Sequence, residues 1–287
     1  MDVREQTIQI EAKDGRILSG LLLEPERPHI SVVVSAGVAI RKERYLKFAR
    51  EGAARGAAVL LYDYRAQGGS AGPDLRKDLA DFSDWGRLDM PAAIDHLHRL
   101  HPDLKMAAVG HSAGGWITGL ADNYHLITRH AFICVGWAYI KLKPLSFRMM
   151  ERFMWHVHGP MCLTLFGYVP KGGPWQGEPL NQKLFREWKR WCLSPKCDAA
   201  LLAGGPNEPQ FYDKITAPIR SFAYRDDPIA NERTVPIFLE MFPNAEREAI
   251  WASPGDFGLN KIGHDGLFGS KAAKAWAPIW DWVIPAT

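Results

Sequence analysis

Short apolar runs recur along this chain with helix-period segments between most of them, and that alternation limits the folds open to it. The runs are ISVVVS (30–35), AAVLLYDY (57–64), LKMAAVG (104–110), AFICVGW (131–137), IRSFAY (219–224) and EAIW (248–251). Their apolar character is continuous rather than alternating, which marks strands buried on both faces. Residues 43–55 place Tyr45, Leu46, Phe48 and Ala53 at helical spacing, and 82–100 repeat the pattern with Phe82, Trp85, Leu88, Ile94, Leu97 and Leu100. Pro91 predicts a kink there, or a restart capped by Asp89. Residues 112–124, 234–241 and 271–284 read as further helices. At the start, Ile8, Ile10 and Ala12 alternate with polar residues, Asp14-Gly15 is a turn signal, and Ile17 to Leu23 resumes strand character, so a hairpin is expected. Strands alternating with helices predict an α/β domain with a mostly parallel sheet and helices on both faces.

At 287 residues the chain can bury about 75% of its unfolded surface, so its core needs no disulfide or metal. Its 47% hydrophobic and 23% charged residues exclude a disordered or fibrous chain. The 35 Lys and Arg against 32 Asp and Glu leave +3 without a basic run, which gives nucleic-acid binding no support. Cys134, Cys162, Cys192 and Cys197 stand at no zinc-finger or CxxC spacing, so a reduced, cytoplasmic protein is expected. The charged, alternating start is unlike a signal peptide, and no stretch reaches the ~18 apolar residues of a membrane span.

Residues 140–213 break the rhythm. They hold Trp155, Trp175, Trp188 and Trp191 among eight prolines and two Gly pairs. We read them as a lid or cap inserted over the C-terminal edge of the sheet, with 1–139 and 214–287 forming the core; a helical embellishment on one side is the plainer alternative.

Gly110-His111-Ser112-Ala113-Gly114 fits G-x-S-x-G and has the context that motif needs, a buried strand before it and a helix after it. Such a turn lifts the serine hydroxyl out of the sheet, and its glycines leave room where a Cβ would collide with neighbouring chain. Gly68-Gly69-Ser70-Ala71-Gly72 fits the same pattern, but Arg65, Ala66 and Gln67 precede it and Pro73-Asp74 follow, so it reads as a loop. A serine needs a base, and the base an orienting acid, in the chain order Ser, acid, His. Of the histidines after Ser112, His264 in Gly263-His264-Asp265-Gly266 stands on a turn between the last strand and the last helix. His125 and His130 flank a turn at the far edge and read as surface residues. The acid is Asp226 or Asp227, both at the end of the IRSFAY strand. Backbone N–H groups of Ala113 and of Val38, where Gly37 lets the chain turn, are the candidate oxyanion donors.

In these segments the chain resembles the α/β-hydrolase superfamily, nearest to its monoglyceride-lipase-like and serine-peptidase-like members, over nearly its whole length outside the insertion. Ser35-Ala36-Gly37-Val38 stands where many members have a His-Gly oxyanion loop. Asp63-Tyr64-Arg65, with Gly68 and Ser70, is similar to the D-x-R-G-x-G-x-S segment, with Ala66-Gln67 in place of the commoner Gly-x. The resemblance implies an eight-stranded sheet, selects Asp227 over Asp226, and implies hydrolysis through an acyl-enzyme with no metal or organic cofactor.

His96, His98 and His101 do not share a helix face, and His156 and His158 lack a third partner, so no metal site is expected. The reading is a serine hydrolase that cleaves an ester of a hydrophobic acyl compound. Acyl transfer, or amide or thioester cleavage by the same triad, is the alternative, and a binding protein of the same fold a more distant one. Trp137 and Tyr139 are candidates for the substrate pocket and equally for the core. The partners expected are a small hydrophobic ester or acyl substrate and, at most, a second copy of the chain.

Overall fold

The computed structural model describes residues 3–285. The hairpin strands β1 (Val3–Glu11) and β2 (Ile17–Pro25) pair antiparallel around Gly15. Then follow β3 (Ile30–Ser35), β4 (Ala57–Tyr62), β5 (Met106–His111) and β6 (Ile127–Ile133). Two short strands, β7 (Tyr168–Val169) and β8 (Leu180–Asn181), pair with each other inside the insertion, and β9 (Ile219–Tyr224) and β10 (Arg247–Ala252) complete the set. The main sheet has eight strands in the order β1-β2-β4-β3-β5-β6-β9-β10. Only the β1–β2 and β2–β4 pairings are antiparallel. Every residue of β3 and β4 is buried, as their uninterrupted apolar runs require. The chain leaves β3 toward β4 on one side and returns to β5 on the other. The loops after β3 and β5 therefore part at a topological switch point, where open α/β sheets form their crevice.

The helices depart from expectation in places with local causes. Residues 82–100 form one helical stretch with a π turn at Trp85–Asp89 before Met90–Leu100, and Pro91 lies in the first turn of the latter. Asp89 does not cap it; its carboxylate accepts from the backbone N–H and Nε of Arg65 at 2.8 and 2.7 Å. The helix after Ser112 stops at Leu120 rather than Tyr124, as one α turn (Ala113–Trp116) and one 3-10 turn (Ile117–Leu120). The Thr118 hydroxyl bonds back to the Gly114 carbonyl, and Phe211 donates to the Gly119 carbonyl at 2.6 Å, so residues near the end of the insertion tie off that helix.

The insertion's longest element runs from Leu145–Phe153 through a π turn, Met154–His158, into Gly159–Phe166. Leu145, Met149, Phe153, Val157, Met161 and Leu165 recur every four residues on its outer face and are all exposed, whereas Glu151, Met154, Trp155, His158 and Cys162 are buried. No helix among the described residues is long and apolar enough to cross a membrane.

His130 corrects one expectation. It lies buried in β6, not on the surface, because the strand begins at Ile127 and carries it inward. Neither ring nitrogen has a partner among the described residues, and burial pushes its pKa down from 6.5 to about 4. Below pH 6.5 the unfolded chain binds a proton that the folded chain refuses, so stability is full above that pH and falls toward pH 4, by about 3 kcal/mol. Thermal unfolding between pH 7 and 4 should therefore show a slope that is shallower in His130→Leu; an unchanged slope would contradict this.

Candidate active site

β5 delivers Ser112 into a backbone conformation with φ 50° and ψ −115°, which a residue with a Cβ adopts only under constraint. The constraint is close packing. A Cβ on Gly114 would meet the Ser35 carbonyl oxygen at 2.2 Å, and one on Gly110 would meet the Gly115 nitrogen at 2.9 Å. Held there, the Ser112 hydroxyl does not cap its helix and lies 2.9 Å from His264 Nε2. His264 Nδ1 lies 2.8 Å from Asp227 Oδ2. The ionised carboxylate can only accept, so Nδ1 carries the proton and Nε2 is free to accept from the serine. Asp227 Oδ1 accepts from the N–H groups of Ile229 and Ala230 at 2.7 and 3.1 Å. Burial alone would raise the Asp227 pKa; the His264 ring and these two amides more than offset it and hold the carboxyl below the usual range.

Asp226 is neither a solvated turn residue nor a cap. Its Oδ2 accepts from the backbone N–H groups of Ile262 and Gly263 at 2.8 and 2.9 Å, and so fixes the loop that carries His264. Adjacent aspartates thus divide the work: one meets the ring, the other its backbone. Ser70 belongs to a different structure. It is buried in the turn Gly68–Ser70, donates to the Asp63 carbonyl and accepts from the Ser19 N–H.

Ala113 begins its helix, so its N–H has no intrahelical acceptor. Neither it nor the Val38 N–H has a hydrogen-bond partner among the described residues. Gly37 does not make the turn as expected; the left-handed residue is Ala39, at φ 57°. Gly37 is there because a Cβ would stand 2.9 Å from His111 Nδ1.

His111 ties the loops together. Burial, and then the neighbouring His264 ring, drive its pKa down to about 3, so the His111 ring is neutral. Nε2 lies 2.9 Å from the His264 carbonyl and must be the donor. Nδ1 therefore accepts from the Tyr45 hydroxyl at 2.7 Å, and that hydroxyl accepts from the Gly37 N–H at 2.8 Å. One directed chain runs from the Val38 loop through Tyr45 and His111 to the His264 loop. Tyr45→Phe leaves a buried N–H and a ring nitrogen unpaired, at about 1–3 kcal/mol each. We expect a lower melting temperature and a reduced kcat with little change in KM; wild-type values of both would contradict the role.

A cavity of about 210 Å³ opens over Ser112 and His264. Val38, Ile40, Trp116 and Ile229 line it from outside residues 140–213, and Trp175, Trp188, Lys143 and Glu151 from within them. Trp137 and Tyr139 do not line it, although Ala138 between them does. Trp137 is fully buried with its indole N–H on the Ser194 carbonyl, and Tyr139 packs against the core. Most of the wall is apolar, and the charged pair Lys143–Glu151 interrupts it. Cys134, Asp227 and His264 place potential ligand atoms within 4.8 Å of one another. The Nδ1 and Oδ2 atoms there already bind each other, and burial holds the Cys134 thiol well above its ordinary pKa, hence protonated. His101 pairs with Glu24, and His156 is exposed while His158 is buried, so these two share no face.

A sequence model of the serine aminopeptidase S33 family matches residues 26–165. No curated protein sequence matches the chain. Among solved structures, a DcsB complex with its substrate analogue is 15% identical and has a TM-score of 0.68, the match covering 98% of this chain and 99% of that one. A hypothetical protein from Pseudomonas aeruginosa is 14% identical, with 98% and 94% covered and a TM-score of 0.62. An esterase from Pyrococcus furiosus is 16% identical, with 97% and 90% covered and a TM-score of 0.59. At these identities the structures share the fold. With the sheet order and the strand–turn–helix around Ser112, the chain has the α/β-hydrolase fold, and its residues 26–165 are similar to the serine aminopeptidase S33 family.

Proposed function

We propose that the protein is a serine hydrolase that cleaves an ester of a hydrophobic acyl compound through an acyl-enzyme on Ser112. The observation that carries this reading is the unbroken chain Ser112 Oγ–His264–Asp227 at a strained turn, beside two unpaired amides. His264 Nε2 takes the hydroxyl proton as Oγ attacks the carbonyl carbon. The resulting oxyanion accepts from the Val38 and Ala113 N–H groups. Asp227 stabilises the imidazolium, which then gives its proton to the departing alkoxide. Water repeats the sequence on the acyl-enzyme and releases the acid.

In this reading residues 140–213 are the lid and 1–139 with 214–287 the core, supported by the insertion's share of the cavity wall. A cytoplasmic setting is supported by four free cysteines, three of them buried. The exposed row Leu145 to Leu165 is the face a homodimer would bury. Sedimentation reads this: twice the chain mass supports the dimer, and the single chain mass at every concentration removes it.

A series of p-nitrophenyl esters tests the substrate class. Each methylene entering an apolar cavity adds about 0.8 kcal/mol. From acetyl upward, kcat/KM should rise several-fold per carbon until the cavity is full. Equal values for acetyl and decanoyl esters would remove the hydrophobic substrate from the account.

A further inference from the structure

One spot on the wall of the Ser112 cavity is charged. Lys143 ends the loop after the 3-10 turn Ile140–Leu142, and Glu151 stands two turns into Leu145–Phe153. Their side chains are only 1% and 7% exposed, and Nζ donates to Oε1 at 2.6 Å. Burial pushes the Glu151 carboxyl up, and the charges of Lys143 and then His264 pull it back. The pair is half satisfied. Glu151 Oε2 is buried with no hydrogen-bond partner among the described residues. Lys143 Nζ has three N–H donors, and its one hydrogen bond among the described residues goes to Glu151; Nζ also lies 5.5 Å from the centre of the Phe147 ring. A buried ion pair in this condition stabilises a fold less than apolar residues of the same volume. Fold stability therefore does not account for it on this wall.

We propose that Lys143 and Glu151 form a subsite for a neutral group that both donates and accepts hydrogen bonds, a hydroxyl or a carboxamide, carried by the ester substrate. The proposal rests on the serine-hydrolase reading and narrows its substrate. The two charges cancel, so a carboxylate drawn to Lys143 meets Glu151, and an ammonium drawn to Glu151 meets Lys143. A hydroxyl donates a hydrogen bond to Oε2 and accepts one from Nζ, which gives each a partner. A bare hydrocarbon leaves both incomplete and excludes water from them. The rest of the wall, with Trp116, Trp175 and Trp188, takes the apolar remainder of the same molecule.

Two series of matched esters test this. One varies the acyl part of p-nitrophenyl esters: hexanoyl, its forms with a hydroxyl or terminal carboxamide at successive carbons, and forms ending in a carboxylate or an ammonium. The other varies the alcohol part of butyrate esters in the same way. In at least one series the best hydroxyl or carboxamide ester should exceed the plain ester by about tenfold in kcat/KM, and the charged forms should fall below it. In the double variant Lys143→Met, Glu151→Leu, which leaves no lone buried charge, that ratio should collapse toward one. If the double variant does not fold, the wild-type ratios decide. Plain esters cleaved normally with all wild-type ratios within about twofold would overturn the subsite and leave the Ser112 reading standing. Cleavage of no ester in either series would overturn that reading, and the subsite with it.

Discussion

Ser112→Ala should lower kcat for a p-nitrophenyl ester by a factor on the order of 10⁶, while Ser70→Ala stays within about twofold of wild type. Both serines lie in G-x-S-x-G sequences, so the pair of variants separates motif from geometry. Ser112 faces His264 at 2.9 Å, and its turn is enforced by the approach of Gly114 to the Ser35 carbonyl. Ser70 spends its hydrogen bonds inside the fold, on Asp63 and Ser19, and its loss costs stability, of order 1 kcal/mol. The hydroxyl of Ser112 is not needed to hold its turn, since it caps nothing, so Ser112→Ala should fold as the wild type does. Strong residual turnover in Ser112→Ala, or its loss in Ser70→Ala, would overturn the assignment.

Asp227→Asn should cost about 10⁴-fold in kcat, because an amide can donate to Nδ1 and so stabilise the wrong tautomer of His264. The neighbouring change should behave differently. Asp226→Asn keeps the side-chain oxygen that receives the Ile262 and Gly263 N–H groups but removes its charge, so a loss of tenfold or less is expected. Asp227 also carries a pH dependence. Its folded pKa is depressed below 3.8, so the stability it contributes is full above that value and is lost as pH falls through the lower folded value. Asp227→Asn should therefore flatten the acid end of the stability profile. Equal activity losses for the two aspartates, or the larger loss in Asp226→Asn, would reverse the roles given to them.

The sheet was legible because its signal is local. ISVVVS and AAVLLY are apolar at every position, and only a strand covered on both faces accepts that. The Ser112 turn was legible because glycines flank it on a strand-to-helix boundary. The choice between Asp226 and Asp227 was not readable from spacing; it came from family resemblance. The role of Asp226 was hidden, since its partners Ile262 and Gly263 lie 36 and 37 residues away. The pairing of Lys143 with Glu151 went unread, because nothing nearby in sequence shows that the segment before Leu145–Phe153 and that helix turn the two side chains inward toward each other. His130 was misplaced for a related reason: β6 starts four residues earlier than its apolar run, at Ile127, and pleating carries the ring inside. Gly37 was credited with a turn that Ala39 makes, although its need for a missing side chain was real.

The most direct measurement is labelling of the folded protein with a fluorophosphonate probe, followed by mass mapping of the modified residue. The probe's phosphorus takes the place of the ester carbonyl carbon, and only a serine whose proton can pass to a base reacts quickly. The account predicts one label, on Ser112, that forms more slowly in Asp227→Asn and is absent from Ser112→Ala. A folded wild-type protein that takes no label, or takes it on Ser70, would contradict it.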